Sequence, residues 1–176
     1  MATTIEVVNQ AVNAALTALR NKLGDMSPVL LAIGEDMVER IKGRFGTTTG
    51  PDGSRWAPNS QVTLIRYLEK KGGFSKKTGK ITAKGQTLAI AKRPLQGESG
   101  DLARQVFRQV FSGNELMVGS NMVYAAMQQF GGTKSQFPNL WGDIPARPFF
   151  PITPDGKLYP AEADLIVGRV RQYLEG

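Results

Sequence analysis

One cluster of residues, the carboxylates Glu35, Asp36 and Glu39, has a spacing that could support metal-dependent or acid–base chemistry. Glu35 and Glu39 are four residues apart, which places both side chains on one face of a helix. The 176-residue chain contains no histidine and no cysteine. The commonest general base, the nitrogen and sulfur ligands of zinc, and disulfides are therefore excluded. No glycine-rich phosphate loop accompanies the carboxylates. They are better explained as a solvated helix face, and we expect neither an enzyme nor a cofactor.

A second chemical feature is an uneven distribution of charge. The chain carries a net charge of +7, and residues 66–93 contain nine basic side chains and a single acidic one, Glu69. This segment therefore carries +8, and the rest of the chain carries −1. Its candidate contact residues are Lys70, Lys71, Lys76, Lys77, Lys80 and Lys84. Three interpretations stay open: contact with DNA phosphates without base readout, docking on an acidic protein, or a solvated arm.

Two further segments display aromatic and arginine side chains between turn-forming residues. In the first, Gly53 permits a tight turn that presents Arg55 and Trp56. Trp56 could cap the core of its own domain or form a contact between subunits, where Trp and Arg are enriched. In the second, residues 144–150, Pro145 and Pro148 hold an extended path. Its Arg147, Phe149 and Phe150 could lie along a neighbouring subunit or pack within the chain.

Hydrophobic periodicity predicts the helices that must position these segments. Apolar residues recur every three or four positions over residues 3–23, and again from Ser27 to Arg44 or Phe45, with Ser27 as the expected N-cap. A short helix is predicted from a Ser60 cap to Lys71, where Gly72 and Gly73 end it. Further helices are predicted over residues 121–130 and 159–174.

Between these helices the sequence predicts loops and one hairpin. Residues 47–59 and 133–150 are predicted loops, and residues 74–85 an exposed loop or hairpin arm. Valine and phenylalanine favour a strand at 104–111, followed by a turn at 112–114 and a strand at 115–119. The predicted fold class is α+β, with helices on a small, mostly antiparallel sheet. We expect a single domain over residues 1–176, with a helical arm at 1–24, a basic insert at 66–93 and a C-terminal segment at 144–176. No apolar run is long enough to span a bilayer, and no signal peptide is predicted.

Four blocks of sequence, in order, resemble the bacteriophage virion-morphogenesis (tail-completion) family. The blocks are Phe45, Pro51, Gly53, Trp56 and Pro58; Leu95, Gly100 and Leu102; Val118, Gly119, Tyr124, Ala125, Gln129, Phe130 and Gly131; and Ile144, Pro145, Ala146, Arg147, Pro148 and Phe149. They extend over residues 45–150. The N-terminal helix and the basic insert lie outside them.

The resemblance implies a structural protein of the phage neck, where head meets tail, acting as a stopper or a tail terminator. It implies a ring of six copies, to match a six-fold tail, assembled in the host cytoplasm and carried in the virion. The implied partners are other copies of the chain, portal-side or adaptor neck proteins, the tail tube and, through non-specific contact, packaged double-stranded DNA. We expect Arg55, Trp56, Arg147, Phe149 and Phe150 at the subunit interface.

Two alternatives to a neck protein stay open. A free nucleic-acid-binding protein would bind DNA tightly as an isolated chain, with a strong dependence on salt. A capsid-assembly factor would act during morphogenesis and be absent from finished particles.

Overall fold

The computed structural model describes residues 10–111 and 115–175. These residues form seven helices and one two-stranded antiparallel sheet, which confirms the predicted α+β class. The elements are α1 (Gln10–Gly24), α2 (Ser27–Thr47), α3 (Gln61–Lys71), α4 (Ala83–Ala91), α5 (Asp101–Arg104), β1 (Val106–Phe111), β2 (Glu115–Ser120), α6 (Ala125–Phe130) and α7 (Pro160–Glu175).

Helix α2 is the central element of the fold. Its buried face repeats every three or four residues through Ile33, Met37, Ile41 and Phe45, as the sequence pattern predicts. The helix lies across both strands and against α7. Gly34 permits this close packing, because a Cβ atom there would lie 2.8 Å from the Arg108 side chain and 2.9 Å from that of Leu116. Thr48 ends the helix in the left-handed conformation.

Strands β1 and β2 pair in register from Val106 opposite Ser120 to Phe111 opposite Glu115. The predicted hairpin is therefore confirmed in its two strands, and its predicted turn at 112–114 lies outside the described residues. One face of the hairpin is covered by α2. Two strands alone are marginal in water, so the sheet depends on this helix for its stability.

The core has two parts that meet along α2. One contains Ile41, Phe45, Trp56, Leu102, Val106, Ala125 and Phe149. The other contains Val29, Ile33 and Met37, with partly buried residues of β2 and α7 packed against them. Aromatic side chains from loops thus complete a core that the short hairpin could not fill.

The basic segment, residues 66–93, is more ordered than the loop or hairpin arm predicted at residues 74–85. After α3, capped by Ser60 and ended by Gly72 as predicted, Phe74 pairs with Ile81 in an isolated antiparallel bridge that closes a short turn. Helix α4 then begins after Thr82, whose side chain accepts a hydrogen bond from the Gly85 N–H. A Cβ atom at Gly85 would collide with the carbonyl oxygen of Gly73, so two glycines let these segments touch. Sequence periodicity missed α4 because the helix has no distinct apolar face.

Several predicted boundaries need smaller corrections. Helix α1 is described from Gln10, and the predicted start at residues 3–9 lies outside the described residues. Met26, not Ser27, occupies the N-cap of α2. Ser27 is the first helical residue, and its N–H donates to Asp25 Oδ1 at 2.9 Å. Helix α6 begins at Ala125, four residues after the predicted start, and the short helix α5 was not predicted.

Replacing the buried loop residue Phe149 tests whether loop aromatics hold the core. Phe149 is fully buried between Phe45 and Phe150. We expect Phe149→Ala to lower the free energy of unfolding by about 3–5 kcal/mol, because it leaves a cavity. The measurement is urea unfolding followed by circular dichroism. Phe137→Ala is the matched control, since Phe137 is half exposed and should lose much less. Equal losses would contradict the assignment of Phe149 to the core.

Candidate assembly interface

The Trp56 loop is a compact turn built by its own backbone. The Gly50 N–H donates to the Ser54 carbonyl at 2.8 Å, and Gly53 takes the positive φ that the turn requires. The Asp52 carboxylate accepts from the Ser54 hydroxyl and N–H, which lowers the pKa of Asp52. The backbone N–H of Trp56 donates to the Thr48 carbonyl at 2.9 Å and so fixes the position from which the Trp56 side chain extends. The loop therefore presents Trp56 inward and Arg55 outward.

Trp56 packs inside its own subunit. Its ring meets Phe45 edge to face, with centroids 5.4 Å apart, and its indole N–H donates to the Pro148 carbonyl at 2.8 Å. This arrangement satisfies the polar edge of a side chain that is otherwise buried. Of the two interpretations left open by the sequence, the structure shows the one in which Trp56 completes the core.

The 144–150 segment joins that core through side-chain bonds to backbone. Arg147 donates to the carbonyls of Ala57 and Pro58, at 2.8 Å and 2.7 Å, and burial lowers the pKa of its guanidinium. Gln129 accepts from the N–H groups of Phe149 and Phe150 and donates to the carbonyls of Phe150 and Ile152. One buried amide thus replaces the strand partner that this extended segment lacks.

Four of the five predicted interface residues, Trp56, Arg147, Phe149 and Phe150, therefore come together within one chain. Arg55 is exposed beside them. Whether any of the five also touches another subunit stays a prediction.

A buried ion pair that sequence reasoning missed locks this region to α2 and α7. Arg44 donates to the Phe149 carbonyl at 2.7 Å and pairs with Glu162, whose second oxygen accepts from Arg40 Nε at 3.2 Å. Burial lowers the pKa of Arg44, and the Glu162 carboxylate opposes that shift. Arg44 and Glu162 are 118 residues apart, and each occupies a helix position that the sequence pattern alone would assign to solvent.

The basic segment divides into a neutralised part and a free part. Lys70 and Lys71 both pair with Glu98, at 2.6 Å and 2.7 Å, and together they lower the pKa of Glu98 to about 2. By contrast, Lys76, Lys77, Lys80 and Lys84 are exposed on the turn and the first residues of α4. Within residues 10–111 and 115–175, these four make no ion pair.

The carboxylates Glu35, Asp36 and Glu39 do not come together as a metal-binding site. Glu35 pairs with Arg108, and Asp36 pairs with Arg169 at 2.7 Å. No group of three or more potential metal ligands occurs in the described part of the chain. None of the described helices is long and apolar enough to cross a bilayer.

Comparison with known proteins gives one result. The model of a family described as the phage virion morphogenesis family matches residues 7–175, nearly the whole chain. Neither the curated proteins nor the solved structures contain a match.

Removing the Glu162 carboxylate tests the buried pair. We expect Glu162→Ala to lower the free energy of unfolding by about 3–5 kcal/mol, because the charge of Arg44 stays buried without its partner. Glu98→Ala is the control, since Glu98 also bridges two cations but lies at the surface, where such pairs contribute little. Chemical denaturation of both variants is the measurement. A Glu162→Ala protein as stable as the Glu98→Ala protein would show that the pair does not hold the fold together.

Proposed function

Because the chain belongs to the phage virion morphogenesis family, we propose that it is a structural component of the phage neck that completes the tail as a stopper or a tail terminator. In this proposal several copies form a closed ring on the DNA path. Six copies would match the six-fold symmetry expected of the tail. Each subunit would use two different surfaces, since a ring is closed by a heterologous contact. The expected neighbours are portal-side or adaptor neck proteins above and the tail tube below.

One observation carries the proposal: the four sequence blocks that resemble the family meet in a single core. Phe45 and Trp56 come from the first block, Leu102 from the second, Ala125 from the third and Phe149 from the fourth. The resemblance therefore describes a scaffold shared by whole domains and not a set of separate motifs. Virion morphogenesis needs such a scaffold to display assembly surfaces.

The free lysines support a second element of the proposal, contact with packaged DNA. Lys76, Lys77, Lys80 and Lys84 form an exposed cationic tip that no acidic side chain within the described residues neutralises. Lysine ammonium groups on a short turn suit phosphate oxygens, and a turn of this size offers no element for reading bases in a groove. Contact with DNA would therefore be independent of sequence, as passage of a genome through a ring requires. An acidic surface on a neighbouring neck protein is the competing partner.

Deleting the gene from the phage or prophage that encodes it tests the neck assignment. We expect DNA-filled heads separated from free tails in electron micrographs, because the joint between them is missing. Abnormally long tails would favour a terminator and heads that leak DNA a stopper. Complementation with the wild-type gene is the control. Normal, joined, infectious particles would contradict a neck role.

Paired lysine substitutions test the DNA contact. We expect the isolated chain to bind double-stranded DNA weakly, and Lys76→Ala with Lys77→Ala to reduce that binding. The slope of log K against log salt should fall in magnitude by roughly 0.9 for each lost phosphate contact. Lys70→Ala with Lys71→Ala is the matched control and should change the slope less, since Glu98 already neutralises those lysines.

Fluorescence anisotropy over a salt series measures both the affinity for DNA and its dependence on salt. Equal effects of the two pairs, or none, would contradict a DNA-facing tip and favour an acidic protein partner. Tight, strongly salt-dependent binding by the isolated wild-type chain would instead support a free nucleic-acid-binding protein.

A further inference from the structure

Helix α1 displays an apolar stripe that residues 10–111 and 115–175 of its own chain leave exposed. Leu16, Leu19 and Leu23 lie on one face, and they are 58%, 39% and 54% exposed. Amphipathic helices of soluble proteins normally bury such a stripe. The helix is also purely basic in its charged residues, with Arg20 and Lys22 and no acid. Arg20 lies one helical turn after Leu16, four residues on, so it borders the stripe.

The contacts that hold α1 lie at its C-terminal end. Lys22 donates to the Leu174 carbonyl at 3.4 Å, and its ammonium lies 5.7 Å from the centre of the Tyr173 ring. Just beyond the helix, the Tyr173 hydroxyl donates to the Asp25 carbonyl at 3.2 Å. These bonds hold the joint with α2 while the stripe stays exposed.

A groove of matching character runs between α2 and α7. It has a volume of about 790 Å³, and its apolar surface comes mainly from Leu165 and Ile166, since the third large apolar residue that lines it, Ile33, is buried in the core. Leu165 is half exposed at its edge. A groove lined in this way between two helices can take the apolar face of a third helix.

The charges that line this groove are complementary to α1. Asp36 is paired with Arg169. Arg40 shares the Glu162 carboxylate with Arg44. Glu39 and Asp164 also line the groove, and neither makes an ion pair within the described ranges. Three carboxylates and two guanidiniums line the groove, so it carries one net negative charge beside apolar surface, and α1 offers a cation beside leucines.

We propose that α1 of one subunit docks in the α2–α7 groove of the next copy of this chain, with Leu16, Leu19 and Leu23 on the apolar lining and Arg20 beside Glu39 and Asp164. The contact joins two different surfaces, so repetition around an axis closes a ring. It rests on the proposed ring and identifies the surfaces that would build it. It also explains why the stripe is exposed in a single subunit.

Disulfide trapping between two chains tests this contact directly, because the protein has no natural cysteine. One full-length chain carries Leu19→Cys and a second carries Leu165→Cys. After mixing and mild oxidation, we expect the mixed dimer to exceed a control mixture several-fold on non-reducing gels. In the control, Val123→Cys replaces Leu165→Cys, since Val123 is almost fully exposed and does not line the groove. A disulfide forms only when the Cα atoms come within about 7 Å.

Trapping no greater than in the control would overturn the proposal. A chain carrying both Leu19→Cys and Leu165→Cys that forms only an internal disulfide would also overturn it, because α1 would then cover its own groove.

A charge exchange tests the role of the carboxylates with all sites kept at the surface. We expect Arg20→Glu in the Leu19→Cys chain to abolish most of the mixed dimer. Glu39→Lys with Asp164→Lys in the Leu165→Cys chain should restore it. An Arg20→Glu chain that traps as well as its parent would overturn the assigned orientation.

These results separate the contact from the function. If the deletion strain gives free tails but no disulfide is trapped, only the proposed contact is wrong. If the disulfide is trapped but the deletion strain gives normal particles, only the proposed neck role is wrong.

Discussion

The buried contact of Arg44 with Glu162 and with the Phe149 carbonyl is the interaction on which the rest of the structure depends. It ties three segments that are distant in sequence: α2, the extended 144–150 segment and α7. A buried guanidinium costs a great deal to desolvate, and only a paired carboxylate with good hydrogen bonds offsets that cost. Because Arg44 directly precedes Phe45, one helical turn carries both the buried ion pair and an aromatic residue at the centre of the core. Loss of the Arg44–Glu162 pair would therefore loosen the 144–150 segment, which supplies Phe149.

A core made largely of loops needs polar side chains to replace missing strands. Gln129 bonds the backbone of the 149–152 stretch, Arg147 bonds that of residues 57 and 58, and the Trp56 indole bonds Pro148. Across the residues that the structure describes, no buried side-chain nitrogen or oxygen lacks a hydrogen-bond partner. This matters for assembly, because surfaces carried by rigid loops keep their shape when they meet a neighbour. The chain belongs to a virion morphogenesis family, and we expect a protein of such a family to act through its shape and its contacts.

Local signals in the sequence predict the elements with strong periodicity or clear punctuation. The stripe through Ile33, Met37, Ile41 and Phe45 identifies α2, and Ser60 with Gly72 marks both ends of α3. Helix α4 escapes prediction because its short sequence has no distinct apolar face, and it is stabilised by contact with α3. The site is harder still. Residue type and turn chemistry single out Trp56, Arg147 and Phe149, but only tertiary contacts show that they point inward. Glu98 is one acid outside a basic run, and nothing local reveals that it neutralises Lys70 and Lys71.

A reconstruction of the neck of purified virions by electron cryomicroscopy tests the central claim most directly. We expect a closed ring of this chain between head and tail, with the turn that carries Lys76 and Lys77 facing the DNA channel or an acidic neighbour. Density at the head–tail joint that other proteins explain completely, together with absence of the chain from purified particles, would contradict it. The chain would then be a factor that acts during assembly and leaves before the virion is complete.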